Sequence, residues 1–97
     1  MRAYELLFIL KPDLDDETSA DIKGRILKII NDFNGRFESE VNGWGKKRLA
    51  YSIEDYTEGV YYVWNFQGMP ETILELDRVI KLSDKFLRHL VIRLDDK

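Results

Sequence analysis

Segments of strand character and segments of helical character alternate along a chain of only 97 residues. The first strand is predicted over residues 2–10, which are rich in aromatic and branched side chains, and Pro12 ends it. The apolar residues that follow recur at helical spacing: Ile22, Ile26, Ile29, Ile30 and Phe33. Either Asp13 or Asp15 is the expected N-cap of this helix, because short acidic side chains accept hydrogen bonds from the exposed N–H groups there.

A longer strand region follows the first helix. Asn34-Gly35 supplies a left-handed stop to the helix. Residues 36–53 then alternate with a period of two, which predicts one long strand with a bend at residues 42–45. A polar turn over residues 54–59 leads into a strand at residues 60–67, which should pair antiparallel with the long strand.

A second helix and a last strand complete the pattern. Pro70 is typical of a first helical position, and a strand is predicted over residues 86–94 before a charged end at residues 95–97. The order is therefore βαββαβ. Each helix has one apolar stripe, so both can cover the same face of a four-stranded antiparallel sheet. We expect an α+β fold, a ferredoxin-like sandwich, as a single domain over residues 1–97.

Several classes of protein are excluded by what the sequence lacks. Without cysteine there are no disulfides, thiolate zinc sites or cysteine nucleophiles. The apolar runs are only a few residues long, far short of the roughly 18 needed to span a bilayer, so no membrane segment is predicted. The first residues do not form a secretory signal, and the cytoplasm is the expected location.

Catalytic groups are equally scarce. His89 is the only histidine, and a lone histidine in a strand is usually an ordinary surface residue. The carboxylates of residues 13–21 lack the spacing of a calcium loop and are better explained as helix-capping charge. An acylphosphatase-like hydrolase of this fold would need an arginine after the first strand, where this chain has Lys11-Pro12-Asp13. We therefore predict no catalytic residue, no metal site, no cofactor and no small-molecule substrate.

The charges are segregated although the net charge is −3. Residues 42–53 contain three cations and no acid, and so do residues 85–94. One interpretation is a strand edge on which Lys and Arg prevent aggregation. The other is a limited basic surface that contacts nucleic-acid phosphates. Excess acid elsewhere argues against a generic nucleic-acid binder.

The strand at residues 60–67 should present different residues on its two faces. One interpretation of the alternation is that Tyr62, Trp64 and Phe66 belong to the core. In that case Tyr61, Val63 and Asn65 face away from the helices. Such an open face can dock either bases or another protein. The strand also has a partial likeness to the aromatic strand by which RNA-recognition-motif domains stack bases, although Glu58 stands where that motif has a cation.

Three segments carry a family resemblance: residues 1–5 (MRAYE), 44–53 (WGKKRLAYSI) and 83–93 (SDKFLRHLVIR). Together they resemble ribosomal protein six of the bacterial small subunit. The resemblance implies a non-enzymatic ribosomal protein of this fold that binds the central domain of 16S ribosomal RNA together with ribosomal protein eighteen during assembly.

The resemblance also implies roles for particular residues. The expected phosphate contacts are Arg2, Lys46, Lys47, Arg48, Arg88 and Arg93. Tyr4 is expected to support a contact with the RNA backbone or sugar. Tyr61, Val63 and His89 are the expected contacts of the partner protein. The alternative is an independent RNA-recognition-motif-like module that stacks bases on Tyr61.

Overall fold

A computed structural model describes residues 1–94, and the charged end predicted at residues 95–97 lies outside this range. The strands are β1 (Arg2–Leu10), β2 (Arg36–Glu40), β3 (Lys46–Ile53), β4 (Tyr56–Gly68) and β5 (Phe86–Arg93), and the helices are α1 (Asp16–Asp32) and α2 (Pro70–Leu82). The sheet is antiparallel, in the order β2-β4-β1-β5, and β3 also pairs with β4. The predicted ferredoxin-like sandwich is confirmed.

The outer edge of the sheet is divided. The predicted strand over residues 36–53 is not continuous, because residues 41–45 separate β2 from β3. Gly43 (φ 92°) and Gly45 (φ 132°) have positive φ angles that residues other than glycine rarely adopt. Such angles interrupt the hydrogen-bond ladder of a β-strand. Both short strands pair with the thirteen-residue β4, β2 near its end and β3 near its start.

The turn between β3 and β4 is shorter than the six residues predicted. It consists of Glu54 and Asp55, with φ of 51° and 69°, and β4 already begins at Tyr56. Two left-handed residues give the twist that matches a two-residue hairpin. The polar residues up to Glu58 suggested a longer turn. They belong to the strand instead, because this end of the hairpin is exposed and Glu58 pairs there with Arg48.

Each end of α1 is stabilised by a local hydrogen bond. The carboxylate of Asp15 accepts a hydrogen bond from the backbone N–H of Thr18 at 2.8 Å. Hydrogen bonding to Thr18 lowers the pKa of Asp15 from its ordinary value of 3.8. At the other end Asn34 is left-handed (φ 68°), and the N–H of Gly35 donates to the carbonyl of Ile30 at 2.7 Å.

Thr72 ties the two helices together at a buried position. Its hydroxyl donates to the carbonyl of Phe33 at 2.6 Å and accepts from the N–H of Met69 at 3.0 Å. The fully buried hydroxyl therefore satisfies groups from the C-terminal end of α1 and the N-terminal end of α2. No helix among residues 1–94 is long and apolar enough to cross a membrane.

Apolar side chains pack on both sides of the sheet. The larger core lies between the sheet and the helices, and its members include Leu6, Phe8, Ile30, Phe66 and Leu76. A smaller cluster lies on the opposite side, where Leu49 of β3 packs against Ile9 and Leu87. The bent β3 therefore folds over part of the sheet face that the helices leave uncovered.

Candidate functional site

The sheet face opposite the helices, called here the open face, is formed by alternate residues of three strands. Its members on β1, β4 and β5 are Glu5, Leu7, Ile9, Tyr61, Val63, Asn65, Arg88, Leu90 and Ile92. Leu90 and Ile92 are 51% and 42% exposed, although they belong to a regular strand. Neighbouring exposed apolar side chains of this kind are typical of a protein interface.

Aromatic and cationic side chains meet where β3 crosses the open face. The ring of Trp44 stacks on that of Tyr61 at a centroid distance of 5.6 Å, and Lys47 Nζ lies 5.8 Å from the Trp44 ring centroid. The guanidinium carbon of Arg88 lies 5.5 Å from the ring centroid of Tyr51. We call these five residues the aromatic–cation cluster. Its cations are positioned next to rigid ring faces, as in proteins that contact single-stranded nucleic acid.

The other two cations of β3 have a different environment. Lys46 Nζ lies 3.8 Å from a carboxylate oxygen of Glu58, and Arg48 is the strand partner of the same residue. Alternation turns both side chains to the side opposite Lys47. The fold therefore brings an acid from β4 next to a segment that has none in its own sequence, and only Lys47 of the three joins the aromatic–cation cluster.

Arg2 and Arg93 lie at the far end of the sheet. Arg2 opens β1, and Arg93 is the strand partner of Tyr4. Arg93 lies five positions after Arg88 along β5, which corresponds to about 16 Å. The cations predicted from the sequence thus form two groups, one at each end of the sheet.

Tyr4 and His89 both face the helix layer. Tyr4 is only 9% exposed, and its ring stacks on Phe66 at 5.5 Å. His89 Nε2 lies 2.7 Å from a carboxylate oxygen of Asp77 on α2. The structure therefore does not bring His89 together with Tyr61 and Val63, although all three were assigned to one partner.

The exposed aromatic and apolar side chains of the open face were not among the predicted contacts. Val63 is only 4% exposed and Tyr61 lies beneath Trp44, whereas Trp44, Leu90 and Ile92 are accessible. The sequence did contain a signal for an apolar open face on β5. The run Leu90 to Ile92 is apolar at every position, which places apolar side chains on both faces of the strand. The position of Trp44 over Tyr61 depends on the bend of the chain at residues 41–45, which alternation does not describe.

Residues 1–94 contain no group of three or more side chains suited to holding a metal ion. The open face offers cations, stacked aromatic rings and exposed apolar groups, which serve recognition. The fold and the open face together define a class of protein, namely a binding module built on a ferredoxin-like sandwich.

Residues 3–93 match the family model described as ribosomal protein S6, and the chain belongs to this family. It is 57% identical over 97 residues to small ribosomal subunit protein bS6 of Syntrophomonas wolfei, with all of both chains covered. It is 48% identical to the bS6 protein of Desulforudis audaxviator, covering 98% of this chain and 100% of the relative. The crystal structure of 30S ribosomal protein S6 from Thermotoga maritima superposes with a TM-score of 0.87 at 26% identity, covering 96% of this chain and 87% of that one.

Family membership confirms several predictions made from the sequence. The resemblance to ribosomal protein six is confirmed, and the chain is a structural protein of the bacterial small ribosomal subunit. The family is one of ribosomal structural proteins, which confirms that the chain is not an enzyme. Bacterial ribosomes are cytoplasmic, so the predicted location is confirmed as well. Membership also implies association with small-subunit ribosomal RNA and with other ribosomal proteins.

Proposed function

We propose that this chain binds the central domain of 16S ribosomal RNA together with ribosomal protein eighteen during assembly of the small subunit. The supporting observation is that the open face carries two kinds of recognition group side by side. Cations and stacked rings lie at the β3 end, and exposed Leu90 and Ile92 lie beside them on β5.

The RNA contacts are assigned to the cations. Lys47 and Arg88 are the strongest candidates, because ring faces position both of them on the open face. Lys46 and Arg48 are weaker candidates because Glu58 offsets their charge. Arg2 and Arg93 supply a second contact at the far end of the sheet, with Tyr4 supporting them from the core side.

The protein contact is assigned to the apolar part of the open face, where Tyr61 and Val63 form the floor. His89 would join this contact only at the edge of β5, since its ring faces α2. A chain with a net charge of −3 attracts RNA weakly through charge alone. Binding two partners at once raises the effective concentration of each for the other, so joint binding explains how such a chain reaches useful affinity.

The test is a salt series of binding to a central-domain RNA fragment, with and without protein eighteen. We expect tight binding only with protein eighteen present, and a steep loss of affinity as salt rises. Lys47→Gln should reduce the slope of log affinity against log salt by about 1, because one phosphate contact is lost. The matched control is Lys81→Gln, which removes the same charge from an exposed residue of α2 and should leave the slope unchanged.

Two results would contradict this proposal. One is RNA binding that is equally tight with and without protein eighteen. The other is loss of RNA affinity in Tyr61→Ala while the salt slope and the affinity for protein eighteen stay unchanged. The second result would favour an RNA-recognition-motif-like module, and the stacking of Trp44 on Tyr61 gives that alternative its structural basis.

A further inference from the structure

An acid occupies the middle of the otherwise apolar part of the open face. Glu5 lies on β1 between two strand partners, Asn65 on β4 and Ile92 on β5. Leu7 follows it on the same face of β1, and Leu90 is the strand partner of Leu7. The side chain of Glu5 is half-buried. Its surroundings are therefore less polar than those of an ordinary surface carboxylate.

The Glu5 carboxylate has no side-chain hydrogen bond and no ion pair among residues 1–94. The closest cation of the open face along β5 is Arg88, which is the strand partner of Ile9. Ile9 lies four positions after Glu5, which corresponds to about 13 Å, so Arg88 belongs to the other end of the face. An acid held in this way attracts a donor from outside the chain.

Asn65, directly across the strand pair, has a second unsatisfied acceptor. Its side-chain Oδ1 is buried without a hydrogen-bond partner in the part of the chain that the structure describes. An amide that rotates by half a turn exchanges its oxygen and nitrogen, so this acceptor can be turned toward an arriving donor. Side chains directly opposite each other in an antiparallel pair have Cβ atoms about 5 Å apart. One donor group can therefore reach both Glu5 and Asn65.

We propose that the protein partner of the open face inserts an arginine side chain between Glu5 and Asn65. A guanidinium carries five donors in a planar fork, so it can donate to the Glu5 carboxylate and to the Asn65 amide oxygen at once. Ile92 is the strand partner of Glu5 and Leu90 follows on the same face, so a partner that covers these exposed side chains would remove water from this position. The inference rests on the proposed function, because it specifies how protein eighteen is recognised.

The same charge argues against RNA as the occupant of this part of the face. On the open face a carboxylate with no neutralising cation repels phosphates, and Lys47 and Arg88 lie at the opposite end of this face. Arg2 and Arg93 lie at the same end of the sheet as Glu5, but alternation places them on the side of Tyr4, away from the open face. The open face is thus divided: a cationic end suits RNA, and an end with two free acceptors suits a basic side chain from a protein.

Calorimetric titration of the full chain with protein eighteen tests the inference. Glu5→Gln keeps the shape of the side chain and removes its charge, and we expect about a tenfold to hundredfold loss of affinity for protein eighteen. Asn65→Ala should also weaken binding, by about tenfold. The control is Glu17→Gln, which makes the same change at an exposed position of the first turn of α1 and should leave the affinity unchanged.

The outcomes separate this inference from the proposed function. If Leu90→Asp abolishes binding but Glu5→Gln binds as tightly as the parent chain, the arginine contact is overturned and the apolar interface stands. If the parent chain does not bind protein eighteen at all, the proposed function fails, and the inference fails with it. Urea unfolding of each variant shows that it is folded. The Glu5→Gln chain should be at least as stable as the parent, because Glu5 makes no side-chain hydrogen bond or ion pair within residues 1–94 that the change could break.

Discussion

Gly59 lies at a position of β4 where the sheet leaves no room for a side chain. A Cβ atom added there would overlap Cγ2 of Ile9 and would lie 3.3 Å from Cδ1 of Leu87. Both residues belong to the small cluster that joins β3 to the open face. Gly59→Ala therefore places a methyl group inside the packing that holds β3 over the sheet.

The expected cost of Gly59→Ala follows from two opposing effects. Overpacking a core by a methyl group costs about 1–3 kcal/mol, and replacing glycine gains about 0.4–1 kcal/mol by restricting the unfolded chain. We expect a net loss of about 1–2 kcal/mol in the free energy of unfolding, since Ile9 is branched and packed between two strands.

Urea unfolding followed by circular dichroism measures this loss. With an m-value of about 2 kcal/mol/M, a loss of 1.5 kcal/mol would lower the midpoint by about 0.7 M. Ile9→Ala removes the overlapping methyl group, so the double variant should be more stable than the two single effects predict, by about 1–2 kcal/mol. The control is Gly24→Ala in α1. It meets no atom within 4 Å and should stabilise the chain by about 1 kcal/mol.

The reasoning would be refuted if Gly59→Ala were as stable as the parent chain. Strictly additive effects of Gly59→Ala and Ile9→Ala would also refute it, because the contact between the two positions is the stated cause.

Three further predictions concern other parts of the fold. Thr72→Val should lower the free energy of unfolding by about 1–3 kcal/mol in urea titrations, because Met69 N–H and the Phe33 carbonyl lose a buried partner, whereas Thr72→Ser should retain most of the stability. The pKa of Asp15 is lower in the folded chain than its ordinary value of 3.8, so the stability from its charge is present above that value and is lost as pH falls through the folded pKa. The stability difference between the parent chain and Asp15→Asn should accordingly shrink on acidification below 3.8, and a difference that stays constant would contradict the assignment. Trp64 is buried and Trp44 is exposed, so Trp64→Phe should leave red-shifted indole emission that responds to binding at the open face, whereas an unresponsive signal would place Trp44 outside the interface.

The sequence predicted the helix layer well because each element there has one clear pattern. Pro70 indicates the start of the second helix, and the start of the first was predicted at Asp13 or Asp15, of which Asp15 is the N-cap. The apolar stripes indicate the faces that pack on the sheet. Alternation also assigned Tyr61 and Val63 correctly to the face away from the helices. These features depend on residues that are close together in the sequence.

The open face was harder to predict because it depends on contacts between distant segments. The bend at Gly43 and Gly45 brings Trp44 onto Tyr61, and the hairpin register brings Glu58 next to Lys46. Neither contact has a signal in the local pattern of the chain. The burial of Val63 also depends on distant segments, because β1 and the chain at Val41 flank it.

One strand, β1, supplies alternate residues to both sides of the sheet. Leu6 and Phe8 lie under the helices, while Glu5 and Leu7 lie on the open face. Deletion or insertion of one residue within this strand would exchange the two sets, placing a carboxylate in the main core. Evolution should therefore tolerate substitutions in β1 far better than changes of length. Length differences among relatives are expected in the connections at residues 41–45, 54–55 and 83–85, where added residues leave the alternation of β1 intact.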